Sequence, residues 1–379
     1  MTELLPVFIA CMAGAVLTDA FSLYDHEEHR YVFKEKVFFI VIALVAAVFC
    51  GLRRGYNDTF SYRHLYEIVD VSQPFFADFS WKLSESFGFK IAYKAMAYLG
   101  WDVQIFLMLF ALFDVGTVFW FVFRHSRSLT LSVFLLFATG VYTFCFAAIM
   151  QCTATAFCLI GVDRYLKNRP LGFLLFVLIG VTFHTFCLVY LIVPFLVSPP
   201  WEQRTYGILL ATVVAAILFT SFVRLVVGIT SATGEVFTEG DFISSGIGVN
   251  IFRFLVTGVT AVLSYIVRDE LRHSDDKLLN ISVNLCIVQA CIMFLGLFGT
   301  ANYFARLANY FLIFQCLALP FLVDHYFESK RGELLSIKNA MIVGYAGYFY
   351  YAEAVTNGGF DIMFSRVSLS SFLSLITWL

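Results

Sequence analysis

Charge is what this chain has least of. Asp, Glu, Lys and Arg make up 14% of its 379 residues, against about 25% in a soluble domain. The deficit runs along the whole length, and mean hydropathy is +0.83. That excludes an ordinary soluble enzyme. The charges nearly cancel, at −2 net, so there is no basic field for nucleic acid. The apolar runs do not alternate with polar residues, which excludes an outer-membrane barrel. None of the nine cysteines forms a C-x-x-C pair. Almost all of them lie inside apolar runs and read as small hydrophobes. The seven histidines include no H-x-x-x-H and no H-E-x-x-H, so a catalytic metal is unsupported. P-loop and G-x-G-x-x-G patterns are absent as well, and no cofactor is expected.

What remains is apolar length. Runs of 16–22 apolar residues recur, close to the roughly 20 that a helix needs to cross a bilayer. Candidate spans are 4–23, 37–51, 102–123, 129–145, 147–165, 171–183, 184–198, 206–227, 250–267, 279–297, 303–323 and 337–352. The pattern predicts an all-α polytopic membrane protein, one integral domain of about 12 transmembrane helices, some short or broken. The first run lacks a basic leader and contains Asp19, so it reads as a span and not as a cleaved signal. The last run, Val367 to Leu379, is short and reads as re-entrant or interfacial.

Basic residues set the orientation. With the N-terminus outside, fifteen of the 25 Lys and Arg fall in inner loops, and six of the others lie in the long segment 52–100. The run 171–198 is read as two short helices turning near Phe183–His184. A single long helix would put the basic segments 268–277 and 324–338 outside. The outer side then carries two loops, 52–100 and 228–249. The first contains FGFKIAYKAMAYLG, which spaces apolar residues helically around Lys90 and Lys94 and reads as a helix along the membrane surface. The second is rich in Gly, Ser and Thr, carries Glu235, Glu239 and Asp241 without a basic residue, and reads as mobile.

The densest polar stretch is GLRRGYNDTFSYRHLY, from Gly51 to Tyr66. It holds an adjacent arginine pair and a third arginine, an aspartate and three tyrosines in sixteen residues, more than anchoring requires. Arginines also fall at outer helix ends at Arg224, Arg253 and Arg306. Burying a guanidinium costs at least ~2–3 kcal/mol unless it is paired or snorkels. The planar fork of arginine matches phosphate oxygens two at a time, so these residues are candidate ligands for an anion. Snorkelling to headgroups is the plain alternative. Asp58, Glu85, Glu235, Glu239 and Asp241 are the acidic candidates for a base beside a sugar hydroxyl. Asp58 can equally orient the arginine pair. His184, at the proposed turn, is the other base candidate. Tyr303 and Tyr310 flank Arg306 as sugar contacts or as an ordinary aromatic belt. Asp275-Asp276 lies in a basic inner loop and reads as solvated.

The order of these elements resembles the EpsG-like branch of Wzy-type bacterial polysaccharide polymerases. Its first outer-loop signature, an arginine followed by Gly, Asp and Tyr, is matched by Arg53 or Arg54, Gly55, Asp58 and Tyr62. A Glu-x-x-Gly-Phe element is matched by Glu85, Gly88 and Phe89. His184 matches a histidine after a short mid-chain run. Arg306, with Leu319 and Pro320, matches an arginine in a late helix. The family often has Arg-Gln near position 150, and this chain has Met150-Gln151.

The resemblance implies a glycosyltransferase C-like membrane enzyme on the outer face of the bacterial cytoplasmic membrane. Such an enzyme joins undecaprenyl-diphosphate-linked oligosaccharide repeat units, with lipid diphosphate as leaving group. Arg306, Arg253 and Arg53 or Arg54 would bind the diphosphate. His184 or Asp58 would be catalytic, and Tyr62, Glu85, Glu235 and Tyr303 would contact sugar. Expected partners are the lipid-linked donor and acceptor, membrane lipids, a flippase and a chain-length regulator, with no nucleic acid. A flippase for the same lipid is an alternative, but it should carry charge at midplane depth. A ligase that transfers finished polymer remains open, since its chemistry is nearly the same. An acyltransferase should offer a histidine with a nearby acid on the donor side, and none is evident.

Overall fold

The computed structural model describes the chain except for residues 26–29, 78, 232–237, 244–247, 328–335, 357–358 and 377–379. The described residues are almost wholly helical. In chain order they form α1 (Leu4–Ala20), a ribbon of β1 (Leu23–Asp25) and β2 (Arg30–Phe33), α2 (Val37–Gly51), β3 (Arg53–Gly55) and α3 (Thr59–Glu67). A short 3-10 turn, Leu83–Glu85, leads to α4 (Phe87–Tyr98), α5 (Val103–His125), α6 (Leu129–Ala138), α7 (Val141–Ala147), α8 (Ile149–Leu166) and α9 (Pro170–Phe183). A 3-10 helix, Thr185–Leu196, precedes α10 (Gln203–Ile217), α11 (Phe219–Ser231), α12 (Glu239–Ile243), α13 (Ile251–Ile266), α14 (Arg268–Leu271) and α15 (Lys277–Leu295). Then come α16 (Ala301–Asn309), α17 (Leu312–His325), α18 (Ile337–Tyr350) with a π-helical turn (Tyr351–Val355), α19 (Phe360–Met363), β4 (Ser365–Arg366) and α20 (Leu369–Ile376).

Most helices start and stop where the apolar runs do, because backbone polar groups in hydrocarbon must be satisfied within the helix. Among the described residues, Val103–His125 and Lys277–Leu295 are the helices long and apolar enough to cross a membrane, or up to five spans if each bent pair counts as one. Other apolar helices have 10–17 residues. Three expected spans are broken. The run 129–145 bends by 45° at Gly140, which adopts φ +86. The run 303–323 bends by 53° between α16 and α17. The run 206–227 turns by 106° between α10 and α11.

The turn expected near His184 is present. His184 ends α9 with an extended backbone (φ −157, ψ 115). Cys187 Sγ then lies 3.8 Å from the Val177 carbonyl, ten residues back. A continuous helix would hold those positions about 15 Å apart. The chain therefore doubles back, over Gly180, where an added Cβ would stand 2.9 Å from the Ala154 carbonyl of α8.

The described residues gather into two compact units. The first comprises Met1–Arg124, Ser128–Leu188 and Phe349–Leu379. Its core is aromatic, with Tyr62, Tyr66, Phe89, Phe106 and Phe110 packed together. The C-terminal segment is part of it: β4 pairs antiparallel with β3, Arg366 opposite Arg53, and the Val367 amide donates to the Leu52 carbonyl at 2.9 Å. Phe372 of α20 then packs with Leu52, Ile105 and Met108. The second unit comprises His125–Arg127 and Val189–Tyr348. There α15 is buried among α10, α13, α16 and α17, and a satellite cluster joins Val223, Phe242, Val249 and Phe304.

Candidate active site

In the first unit the Gly51–Tyr66 stretch is held by backbone contacts at the start of α5. Gln104 Nε2 donates to the carbonyls of Gly51 (2.7 Å) and Arg53 (2.9 Å). Pairing with β4 makes residues 53–55 a strand, so successive side chains point to opposite faces. Arg53 faces inward and is 1% exposed. Its Nη1 donates to the Cys50 carbonyl at 2.7 Å, and its guanidinium acts electrostatically on Asp114. Asp114, also buried, accepts from Thr153 Oγ1 at 2.9 Å. Arg54 faces the other way and is exposed. Of the two arginines, Arg53 is built into the core and Arg54 is presented.

Asp58 is half-buried and occupies the residue before α3, where its carbonyl accepts from the Ser61 and Tyr62 amides. Tyr62 is buried, its ring edge-on to Phe89 with centroids 5.6 Å apart. The Glu85–Phe89 element explains itself locally. Phe89 enters the core, and Gly88 is needed because an added Cβ would stand 2.1 Å from Thr182 Oγ1 on α9. Glu85 pairs with Lys90 at 3.8 Å. Thr185 Oγ1 donates to the Leu83 carbonyl at 3.1 Å. This docks the Leu83–Phe89 segment, which carries Glu85, onto the chain directly after His184. His184 is half-buried, with its ring 5.6 Å from that of Phe186. Lys94 of α4 is turned inward, donating to the Phe75 carbonyl with its ammonium 5.3 Å from the Phe75 ring centroid. Within the motif, burial and then the negative charge of Glu353 push the Tyr56 phenol above its ordinary range.

In the second unit the focus is the start of α13 and the end of α16. Asn250 caps α13 by accepting from the Phe252 amide at 2.8 Å. Arg253, half-buried in the first turn, donates from Nη2 to Asn309 Oδ1 at 2.7 Å. Asn309 is the last residue of α16. Arg306 stands three residues before it and is its neighbour on the helix surface, and Tyr303 stands three residues before Arg306. Arg306 is exposed, and Tyr303 lies against Phe242 with centroids 4.8 Å apart. Tyr310 is buried and its carbonyl accepts from Tyr190 Oη at 2.6 Å. A guanidinium at a helix N-terminus adds positive charge where the helix dipole is already positive, and both favour an anion.

The acidic residues of the 228–249 loop are engaged locally. Glu239 pairs with Arg224 at 3.0 Å. Asp241 accepts from the Thr238 amide and hydroxyl, and these bonds hold its carboxyl below the usual range. The Thr300 amide ties the segment down by donating to the Phe242 carbonyl at 2.9 Å. Glu235 lies outside the described residues. Asp276 caps α15, accepting from the Leu278 and Leu279 amides, and pairs with Arg127, so its role is structural.

Three polar residues escape the sequence reading. Asn309 looked like part of an aromatic belt. Asp114 sits in the apolar run LFALFDVGTVFW, where a carboxylate alone is a signal. Glu353, 7% exposed, accepts from Thr143 Oγ1 at 2.9 Å and lies at the margin of a run, where the signal is weak.

The second unit thus offers Arg253 in the first turn of α13 and Arg306 in the last turn of α16, and the first unit offers Asp58, Glu85 and His184. The profile of the EpsG family matches residues 36–364, well over half of the chain. The chain belongs to the EpsG family. The match spans Arg54, Asp58, Glu85, His184, Arg253 and Arg306. Membership and the apolar helices together make this EpsG-family chain a membrane protein of polysaccharide biosynthesis. No curated protein and no solved structure matches it.

Proposed function

We propose that this EpsG-family chain is a glycosyltransferase that polymerises lipid-linked oligosaccharide repeat units, with polyprenyl diphosphate as leaving group. The observation that carries this reading is the Arg253–Asn309 bond at 2.7 Å, with Arg306 one turn earlier on α16. Asn309 orients one guanidinium without neutralising it, which a carboxylate would do. Two guanidiniums on this frame suit a diphosphate, whose charge grows as the bond to the sugar breaks. Donors fixed in advance at developing charge are usually the largest catalytic term.

In the reaction an acceptor hydroxyl attacks the anomeric carbon of the donor sugar. The new glycosidic bond forms as the carbon–oxygen bond to the diphosphate breaks, and the diphosphate leaves with the electron pair. The hydroxyl proton passes to a base, His184 or Asp58. Arg54 is a further diphosphate ligand, and Glu85 and Tyr303 are sugar contacts. No nucleotide or metal enters the balance.

The reading places the chemistry on the outer face of a bacterial cytoplasmic membrane. It takes about twelve crossings, several short or broken, in a glycosyltransferase C-like arrangement. A flippase would supply the substrate and a chain-length regulator would act on the product. Replacing Arg306 with Ala in cells should abolish polymer while protein abundance stays unchanged. Polymer of normal amount and length in that variant would overturn the assignment.

A further inference from the structure

Helix α5 has two distinct ends. Gln104, near its start, holds the Gly51–Tyr66 motif. Arg124, near its finish, is twenty residues further on, about 30 Å along the axis, or the thickness of the hydrocarbon layer. At that far end a cavity of about 520 Å³ opens between α5 and α8. Its wall is apolar, from Leu112, Phe113, Trp120 and Ile160, and its rim carries Arg124, Arg164 and Lys167.

Cations at helix C-termini are ordinary, since the dipole favours them there. Two of these three are also accounted for. Buried Asp163 pairs with Arg124 and with Lys167, both at 2.6 Å. Arg164 is different. It is half-buried and has no carboxylate partner among the described residues. Its stem is laid against α9, where a Cβ on Gly172 would stand 3.3 Å from Arg164 Cβ and 3.4 Å from its Cγ. The rim therefore has three cations for one acid. A fourth cation is close: Lys34 Nζ donates to the Phe123 carbonyl at 2.5 Å and the Arg124 carbonyl at 3.4 Å.

The volume itself needs a cause. Gly116 lies in the interior of α5, where glycine weakens a helix. Interior glycines usually admit a close neighbour, yet a Cβ built at Gly116 meets nothing within 4 Å. What it contributes is open space, in a cavity of the size that holds small ligands.

We infer that this cavity binds an anionic phospholipid, its phosphate at Arg164 and Lys167 and one acyl chain along Leu112, Phe113 and Trp120. A basic pocket between membrane helices with an apolar wall suits that chemistry. The site lies at the other end of α5 from the Gly51–Tyr66 motif and does not depend on the glycosyl-transfer reading.

The test uses the purified full chain and native mass spectrometry. The chain is equilibrated with equal amounts of dioleoyl-phosphatidylglycerol and dioleoyl-phosphatidylcholine. Wild type should retain the anionic lipid preferentially. Arg164→Gln should lower that preference by about fivefold, the effect of one cation near an anionic headgroup. Gly116→Leu should fill the cavity and abolish retention while melting at wild-type temperature or above. If Gly116→Leu does not fold, Arg164→Gln decides alone. Equal retention of the two lipids by wild type, or retention unaltered in Arg164→Gln, overturns the proposal. Inorganic phosphate added at the same concentration should leave retention unchanged. Displacement of the lipid by phosphate would make this a free-anion site and also overturn it.

Discussion

Arg253 and Asn309 are joined by a single hydrogen bond, Nη2 to Oδ1 at 2.7 Å, between the first turn of α13 and the last residue of α16. The partner is neutral, so the guanidinium keeps its full charge and its remaining N–H donors. α16 also ends here in a 53° bend toward α17, which fixes where Arg306 can stand.

Asn309→Asp places a carboxylate against Arg253 and neutralises it. Turnover should fall by about 10²-fold, the usual cost of losing one donor to developing charge, and Arg253→Ala should do the same. Asn309→Asp should melt no lower than wild type, because the new ion pair replaces the hydrogen bond. Initial rates on lipid-linked substrate and a melting curve check both points. Wild-type rates in Asn309→Asp would contradict the role given to Arg253.

Arg224 provides the contrast. Its pair with Glu239 is exposed, at 66% and 46% of the two side chains, and exposed pairs contribute ~1 kcal/mol or less. Arg224→Ala should change stability by no more than about that much and leave polymer formation close to wild type. A loss as large as that of Arg253→Ala would make Arg224 part of the site.

Gly88→Ala tests the frame around His184. The new methyl would stand 2.1 Å from Thr182 Oγ1 and 2.8 Å from its Cβ, so α4 and α9 must separate. Overpacking of this kind costs about 1–3 kcal/mol. Adding Thr182→Ala should recover part of the loss but not all, because the Thr182 backbone is also close. A denaturant series on the single and double variants measures this.

Lys34 carries a pH dependence. Burial, opposed by the pull of Asp19 and aided to a smaller extent by the like charge of Arg124, brings its ammonium from 10.5 down to about 8. A lysine lowered in the folded state is a penalty while it is charged. Between pH 8 and 10.5 the unfolded chain holds more protons, so stability contributed at this site rises with pH. Wild type should therefore gain on Lys34→Met between pH 7 and 10, by at most about 3 kcal/mol. Melting temperatures of the two proteins across that range test the sign, and a constant difference would refute it.

The helical ends were legible wherever an apolar run meets a polar or flexible residue. Val37–Gly51 is a run and a helix with the same bounds, and the chain turns at His184, where two short helices were expected to meet. The Glu85–Phe89 element was legible as a pattern, though the reason for Gly88 is a threonine ninety-four residues later. The bend at Leu218 was not legible, because VVAAILFTSFVR has no Gly or Pro to mark it, and the two halves separate onto different neighbours, α10 onto α15 and α11 onto α12. Arg53 and Arg54 could not be told apart either. Their alternation depends on pairing with Arg366, and nothing within the motif encodes that partner. Asp114 was legible by its setting, a lone carboxylate inside an apolar run.

The most direct test of the account is a reaction with purified chain and lipid-linked repeat unit, with chelator present and nucleotide absent. The account predicts a ladder of products, one polyprenyl diphosphate released for each bond formed, and loss of both in Arg306→Ala and Arg253→Ala. Movement of the lipid across a bilayer with no ladder and no released diphosphate would contradict it.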